Sequence, residues 1–123
     1  MTLRSFNDNR GAIFFPEKIL DKKLFKHFVV SKTPPGQERG GHFHRTRTEW
    51  FTVVLGKARV TLVDIETKEK EVHFLHGENP ELIELPPMVA LTVESIGSCD
   101  MIFLGFFDEV YDQSINDDQD YQI

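Results

Sequence analysis

The sequence has a single cysteine, no basic residue after Lys70 and no long apolar run. The one cysteine, Cys99, excludes an internal disulfide framework and a cysteine-based zinc cluster. No apolar stretch approaches the ~20 residues of a membrane span. The polar start of the chain does not resemble a signal peptide, so we expect a soluble, cytoplasmic protein. Helical periodicity is scarce as well, and only Pro16–Phe28 is compatible with a helical turn or two.

Charge is divided unevenly along the chain. All 14 Lys and Arg lie at or before Lys70 together with 8 acidic residues, and the residues beyond carry 12 acidic and no basic side chains. The net charge of −6 argues against nucleic-acid binding, and no helix pair typical of DNA-binding proteins is visible. The division is compatible with a basic site for a small anion in the first half, and equally with two oppositely charged surfaces.

What the chain does contain is a series of short β-type runs separated by Gly, Pro, Asn and Asp. This pattern predicts an all-β sandwich or barrel. With 123 residues we expect a single domain over residues 1–123, ending in an acidic tail at about 108–123. Gly56–Lys57 lies between two Val- and Leu-rich runs, Glu49–Leu55 and Ala58–Ile65, and predicts a two-residue hairpin turn.

The segment from Gly36 to Gly56 holds the residues most suited to chemistry. His42 and His44 are two residues apart, so on a strand both point to the same face. Glu49 stands at the start of the next run and faces the same interior if the chain turns back near Thr46. Two imidazoles and one carboxylate form a facial triad for a divalent ion such as zinc, iron, manganese or nickel. The alternative is a pair of surface histidines beside a solvated turn.

The full spacing, including both flanking glycines, matches the first motif of the cupin superfamily. The chain is therefore identified as a cupin, and this resemblance implies a double-stranded β-helix, or jelly roll. In the second cupin motif, which here follows Pro86–Pro87, the position of the fourth metal ligand is occupied by Leu91 or Thr92. The resemblance therefore leaves three ligands: His42, His44 and Glu49.

Two narrower resemblances point to sugar chemistry. Arg39–His44 is similar to a stretch of the sugar 3,4-ketoisomerases, which act on dTDP-4-keto-6-deoxyhexoses without metal and carry an amide where Glu49 stands. His42–Gly56 resembles the cupin domain of a capsular polysaccharide epimerase-reductase, which carries Glu there and binds metal. The ketoisomerases also place a tyrosine on the strand before the histidines; in this chain Lys26–Val30 offers only His27.

Both resemblances imply proton removal next to a ketone, through an enolate or enediol. Without metal, His42 is the expected base, His44 the proton shuttle and Arg39 the partner of the oxyanion. With metal, both histidines are ligands and the base lies elsewhere. The nucleotide diphosphate is expected to contact Arg39 and Arg59, whereas Arg45 and Arg47 are expected to point into solvent.

The resulting prediction is an isomerase, 3,4-ketoisomerase-like, for a nucleotide-linked 4-keto-6-deoxy sugar in deoxysugar or surface polysaccharide biosynthesis. Three alternatives remain open: a metal-dependent sugar-nucleotide epimerase of the capsular polysaccharide type, a small metal-dependent cupin oxygenase, and a non-catalytic sugar-nucleotide binder. Similar cupins pair through their sheets, so we expect a homodimer with no nucleic-acid or membrane partner.

Overall fold

The computed structural model describes residues 2–15, 26–109 and 117–123. Within them the chain is all-β, as predicted, and the strands are β1 Arg4–Asp8, β2 Gly11–Phe15, β3 His27–Thr33, β4 Glu38–His44, β5 Glu49–Leu55, β6 Lys57–Asp64, β7 Lys70–His76, β8 Ile83–Leu85, β9 Val89–Ser95, β10 Met101–Phe107 and β11 Asp118–Asp120. Most of the predicted helical segment, residues 16–25, lies outside the described residues, and its last two residues begin β3. No helix in the described part of the chain is long and apolar enough to cross a membrane.

Two antiparallel sheets form the body of the domain. The first has the order β3-β10-β5-β8, and the second has the order β11-β4-β9-β6-β7. Apolar side chains between them form the core, among them Phe51, Val53, Val60, Leu85 and Met101, each fully buried. Strands β1 and β2 form a separate two-stranded sheet at the N-terminal end.

Side-chain alternation decides which residues enter the core. In β6, Ala58, Val60 and Leu62 are buried, while Arg59 between them is exposed. The same period of two appears in β10, where Met101, Phe103 and Phe107 are buried. Each sheet therefore presents an apolar inner face, and burial of the two inner faces against each other stabilises the domain.

The predicted hairpin at Gly56–Lys57 is wrong. β5 belongs to the first sheet and β6 to the second, so the chain crosses between sheets at Gly56. This residue has a φ of +82°, and a Cβ added there would lie 2.8 Å from the carbonyl oxygen of Asp100, so the corner requires glycine. The partner of β6 in a hairpin is β7, which follows the turn that begins at Asp64.

Candidate functional site

A cavity of about 510 Å³ opens between the two sheets. Its apolar wall includes Val29, Leu91, Val93, Met101, Phe103 and Phe107. Its polar lining consists of His27, Ser31, Arg39, His42, His44, Arg47, Glu49 and Asp118. Ionisable groups of both signs thus meet in a cavity large enough for a small organic ligand.

A β-bulge brings Arg39 and His42 to the same wall. In a regular strand, residues three apart point to opposite faces. The pairing of β4 with β9 shifts by one residue between Gly40 and His42, so Arg39 lies opposite Val93 and His42 lies opposite Leu91. A Cβ on Gly40 would lie 2.5 Å from the carbonyl oxygen of Leu91, and its φ is +101°. Glycine at position 40 therefore permits the bulge that turns both side chains inward.

His44 lies at the centre of the site, 2% exposed and between two carboxylates. Its Nδ1 is 2.7 Å from Oδ1 of Asp118, and its Nε2 is 3.4 Å from Oε2 of Glu49. Burial lowers the pKa of His44, but hydrogen bonding and charge from Glu49 and Asp118 outweigh burial and raise the pKa above 6.5. Ionised carboxylates only accept hydrogen bonds, so this environment favours a proton on each ring nitrogen.

Glu49 reaches His44 from the opposite sheet. It is 4% exposed and begins β5, where it pairs with Phe107 of β10. Gly105 leaves room for its side chain, because a Cβ on Gly105 would lie 2.9 Å from Oε1 of Glu49. The structure thus brings His44 and Glu49 together, as the spacing predicted.

Arg47 is buried in the site and does not point into solvent, which corrects the expectation from the sequence. It is 5% exposed, and its Nε donates to Oδ2 of Asp117 at 2.9 Å. Its Nη2 donates to Oδ1 of Asp118 at 2.9 Å, and its Cζ lies 4.6 Å from the ring centroid of Phe107. Strict alternation from His44 fails here because the chain leaves β4 and turns before β5 begins.

Asp117 holds the turn between β4 and β5 in place. Its Oδ1 accepts hydrogen bonds from the backbone nitrogens of Arg45 and Thr46 and from Oγ1 of Thr46. Burial raises the pKa of Asp117, but the hydrogen bonds from Thr46 and Arg47 prevail and lower it to about 2. Asp117 is therefore ionised throughout the physiological range.

The fit to a divalent ion rests on His44, Glu49 and His42. The first two face each other, and the ring centroid of His42 lies 5.3 Å from that of His44 on the same wall. Asp118 on Nδ1 of His44 supplies the outer carboxylate that commonly orients a metal-bound histidine. The donor types suit a divalent cation, but the predicted triad is not assembled: among the described residues, no set of close ligand atoms includes both His42 and Glu49.

Among the described residues, one group of possible ligands lies close enough together to share an ion. Ligand atoms of His44, Asp117 and Asp118 all lie within 4.8 Å of one another, whereas His42 is not part of that group. Arg47, however, already donates to both of these carboxylates. A cation placed among them would have to displace or repel the buried guanidinium, which disfavours this group as a metal site.

Arg39 lies at the other end of the wall from His44 and is held across the cavity. Its Nε donates to Oγ1 of Thr33 at 2.8 Å, and Thr33 is 2% exposed. This bond leaves the two terminal nitrogens of the guanidinium for an anion.

Arg59 does not reach the cavity, because it alternates outward on β6 and its Nη2 donates to Glu94 at 2.6 Å on the outer face. Its predicted contact with substrate in this cavity is not supported by its position.

His27 stands on the wall opposite His42 and His44. In the first sheet Phe107 pairs with His27 on one side and with Glu49 on the other. At ~4.8 Å per strand, His27 and Glu49 are about 10 Å apart across the sheet. Phe107 lies on the strand between His27 and Glu49. The centroid of its ring is 5.8 Å from that of His27 and 5.5 Å from that of His44.

Asp118 and Arg47 belong to the site although their positions in the sequence did not predict it. Asp118 lies 74 residues from His44 in an acidic tail, and no local pattern marks it. The available signal was the paired acid, Asp117–Asp118, in a segment with no base to neutralise it. The positive charge of buried Arg47 is compensated by Asp117 and Asp118 of the acidic tail, which form ion pairs with it.

Residues 6–119 match the family model described as "Polysaccharide biosynthesis C-terminal domain". The chain belongs to this family. A curated relative is the UDP-2-acetamido-2,6-beta-L-arabino-hexul-4-ose reductase of Pseudomonas aeruginosa, which is 32% identical over 87% of this chain. The chain spans only 28% of that reductase.

Solved structures share the fold. The capsular polysaccharide assembling protein CapF of Staphylococcus aureus superposes on 98% of this chain with a TM-score of 0.77 and 23% identity, and the match covers 34% of CapF. The dTDP-6-deoxy-D-glucose-3,5-epimerase RmlC of Legionella pneumophila, solved with dTDP-4-keto-L-rhamnose, superposes on 97% of this chain with a TM-score of 0.80 and 20% identity, over 69% of the epimerase. The predicted cupin fold is thereby confirmed.

Proposed function

We propose that this domain moves a proton at a carbon next to the ketone of a nucleotide-linked 4-keto-6-deoxy sugar and acts as an epimerase in polysaccharide biosynthesis. The observation that carries the proposal is His44, held between Glu49 and Asp118 in a cavity that also contains Arg39. Membership of the polysaccharide biosynthesis family and the likeness to sugar-nucleotide epimerases support it.

Proton abstraction from carbon needs a base in contact with the substrate and a positive partner for the enolate oxygen. His42 lines the cavity, is more exposed than His44 and is the group we assign as base in the metal-free site. The proton taken up by His42 passes on to His44, whose ring centroid is 5.3 Å from that of His42 and which lies between Asp118 and Glu49. Arg39 offers its terminal nitrogens to the diphosphate or to the developing oxyanion.

A divalent ion, if bound, would be held by His44 and Glu49, joined by His42. Such an ion supplies a Lewis acid that stabilises negative charge on the ketone oxygen. His42 and His44 would then be committed as ligands, and proton transfer would pass to another group that lines the cavity. His27 on the facing wall meets that requirement.

Histidines on facing walls favour epimerisation over ketoisomerisation. Inversion at carbon needs removal of the proton from one side of the sugar and its return from the other. A 3,4-ketoisomerase can use one group on one side throughout. Because His27 and His42 belong to opposite sheets, the cavity offers a proton-transfer group to each side of a sugar bound between them.

The homodimer expected from the cupin resemblance is retained in this proposal. Phe28 and Val30 on β3 are 58% and 60% exposed on the outer face of an edge strand. Pairing of this face with a second copy would cover them. Sedimentation equilibrium of the wild type and of Val30→Asp tests this, because a dimer formed through β3 becomes a monomer in the variant.

Proton NMR in deuterated water tests the enzymatic proposal. The substrates are dTDP-4-keto-6-deoxyglucose and its UDP counterpart, each with and without chelator. Deuterium entry next to the ketone, with inversion at that carbon, is the expected result. Deuterium entry with a ketone moved to C3 would instead identify a ketoisomerase. Binding of either sugar nucleotide without any exchange would identify a non-catalytic binder and overturn the proposal.

A further inference from the structure

Asp117 is a heavily hydrogen-bonded carboxylate that does not line the cavity, although its Oδ2 lies 3.8 Å from Nδ1 of His44. Asp117 is 5% exposed, and it immediately precedes the short strand β11. Its two oxygens accept hydrogen bonds from the turn that joins β4 to β5, through the backbone nitrogens of Arg45 and Thr46, Oγ1 of Thr46 and Nε of Arg47. The side chain of Asp117 is thus hydrogen-bonded to the loop between β4 and β5, and this contact ties the C-terminal segment to that loop.

Arg47 extends this tie into the site. One guanidinium nitrogen bonds Asp117 at 2.9 Å, and another bonds the next residue, Asp118, at the same distance. The guanidinium plane is supported by the ring of Phe107 at 4.6 Å. Asp118 is therefore fixed from one side by Arg47, and its Oδ1 meets Nδ1 of His44 at 2.7 Å.

The backbone alone holds β11 weakly. The strand has three residues, lies at the edge of its sheet and pairs with β4 through Asp118, Gln119 and Asp120. Two further backbone bonds flank the strand, from the backbone nitrogen of Tyr121 to the carbonyl oxygen of Gly41 and from the backbone nitrogen of Arg45 to the carbonyl oxygen of Asp117. A three-residue edge strand exposed on one side frays readily, so an anchor at its first end decides how firmly Asp118 stays in place.

We propose that Asp117 is a positioning residue for the catalytic histidine. Together with Arg47 it fixes β11, so that Asp118 remains on Nδ1 of His44 and holds the imidazole in its working orientation. This inference rests on the proposed function in one respect, namely that His44 takes part in proton transfer. It assigns a role to a residue that does not line the cavity and would not contact the sugar.

A double-mutant cycle on deuterium entry separates positioning from stability. Asp118→Asn and Asp117→Ala are each expected to lower kcat by about tenfold, because the first removes the negative charge beside the imidazole and the second loosens the strand that carries Asp118. The double variant is expected to be no slower than the slower single variant, since both substitutions break one chain of contacts. Independent, multiplicative losses would overturn the proposal, because two unrelated defects multiply.

A milder variant keeps the test available if Asp117→Ala does not fold. Thr46→Val removes one donor to Asp117 and preserves the shape of the side chain. It is expected to lower kcat in the same direction by a few fold, and not to add to Asp118→Asn. Full additivity of this pair would contradict the proposal in the same way.

Hydrogen exchange read by mass spectrometry tests the anchor without any substrate. Amides of residues 118–120 are expected to exchange at least tenfold faster in Asp117→Ala and at nearly the wild-type rate in Asp118→Asn. Asp120→Asn is the matched control, since it removes the same charge from an exposed acid of the same strand. Equal acceleration by the control would refute the anchor. Absence of deuterium entry into sugar in the wild type would reject the proposed function alone.

Discussion

His44 and Asp118 are 74 residues apart in sequence, and their side chains meet at 2.7 Å. The contact joins the histidine motif to the C-terminal strand, and it leaves Nε2 of His44 directed at Glu49. A histidine held by a carboxylate on each nitrogen is suited to proton transfer, and it would bind a metal only after Nε2 gives up its proton. The choice between these two uses is open to direct measurement.

Replacement of His44 is expected to abolish function without unfolding the domain. In His44→Gln we expect deuterium entry next to the ketone to fall by about 100-fold or more, the range for loss of an acid–base group. His73→Gln is the control, since His73 is exposed on β7 and bonds Glu71. Equal losses in the two variants would show that the effect is not specific to the site.

Thr33 is expected to matter for binding and not for chemistry. Thr33→Val keeps the shape but removes the acceptor for Nε of Arg39, so we expect the Kd for dTDP or UDP to rise about tenfold with little change in kcat. Thr33→Ser retains the hydroxyl and should bind as the wild type does. Isothermal titration with the free nucleotide measures both, and unchanged binding by the valine variant would remove Arg39 from the anion site.

His27 is expected to separate proton removal from inversion. In His27→Asn, deuterium should still enter the substrate, because the base stands on the other wall. Formation of the inverted sugar should fall by about 100-fold, since the return of a proton from the opposite side is lost. Proton NMR of one sample follows both processes. A parallel loss of exchange and inversion would place His27 outside this step.

Metal affinity is expected to depend on Glu49 more than on Asp117. Titration of zinc into metal-free protein should show binding weakened at least tenfold in Glu49→Gln. Thr46→Val, which perturbs Asp117 without touching Glu49, should change zinc affinity little. The opposite order would place the ion among His44, Asp117 and Asp118.

Acid should release the C-terminal anchor over a defined range. The pKa of Asp117 is lowered from 3.8 to about 2. The stability it contributes is therefore complete above pH 4 and is lost as pH falls from about 4 towards 2. Urea unfolding across this range should show a smaller decline in Asp117→Asn than in the wild type. An identical decline in both proteins would show that Asp117 is not the group responsible.

The sequence predicted the all-β fold and the meeting of His44 with Glu49 because both depend on local spacing. Alternation in β4 and the short turn to β5 are encoded within a dozen residues. The crossing at Gly56 was missed because a glycine between two apolar runs serves a hairpin and a corner between sheets equally well. The pairing of each strand with distant strands decides between a hairpin and a corner, and neither apolar run contains a signal for that pairing.

The charges were harder to place than the strands. Arg47 and Arg59 are both basic residues near the histidines, yet one is buried in the site and the other pairs with Glu94 on the outer face. Only the register of β6 and the return of the C-terminal strand distinguish them. A basic residue finds its partner through tertiary structure, so nearness to the histidines in sequence did not reveal that Arg47 is buried in the site.

Arg39 and His42 are three residues apart in β4, but their partners in β9, Val93 and Leu91, are two residues apart. The bulge in β4 accounts for the extra residue. A chain without Gly41 would present the same two side chains to the same wall from a regular strand with less local twist. The two proteins would differ in the angle between guanidinium and imidazole while sharing every functional side chain. Insertion or deletion of a single residue within this strand is therefore a route by which the cavity can be adjusted to ligands of different shape.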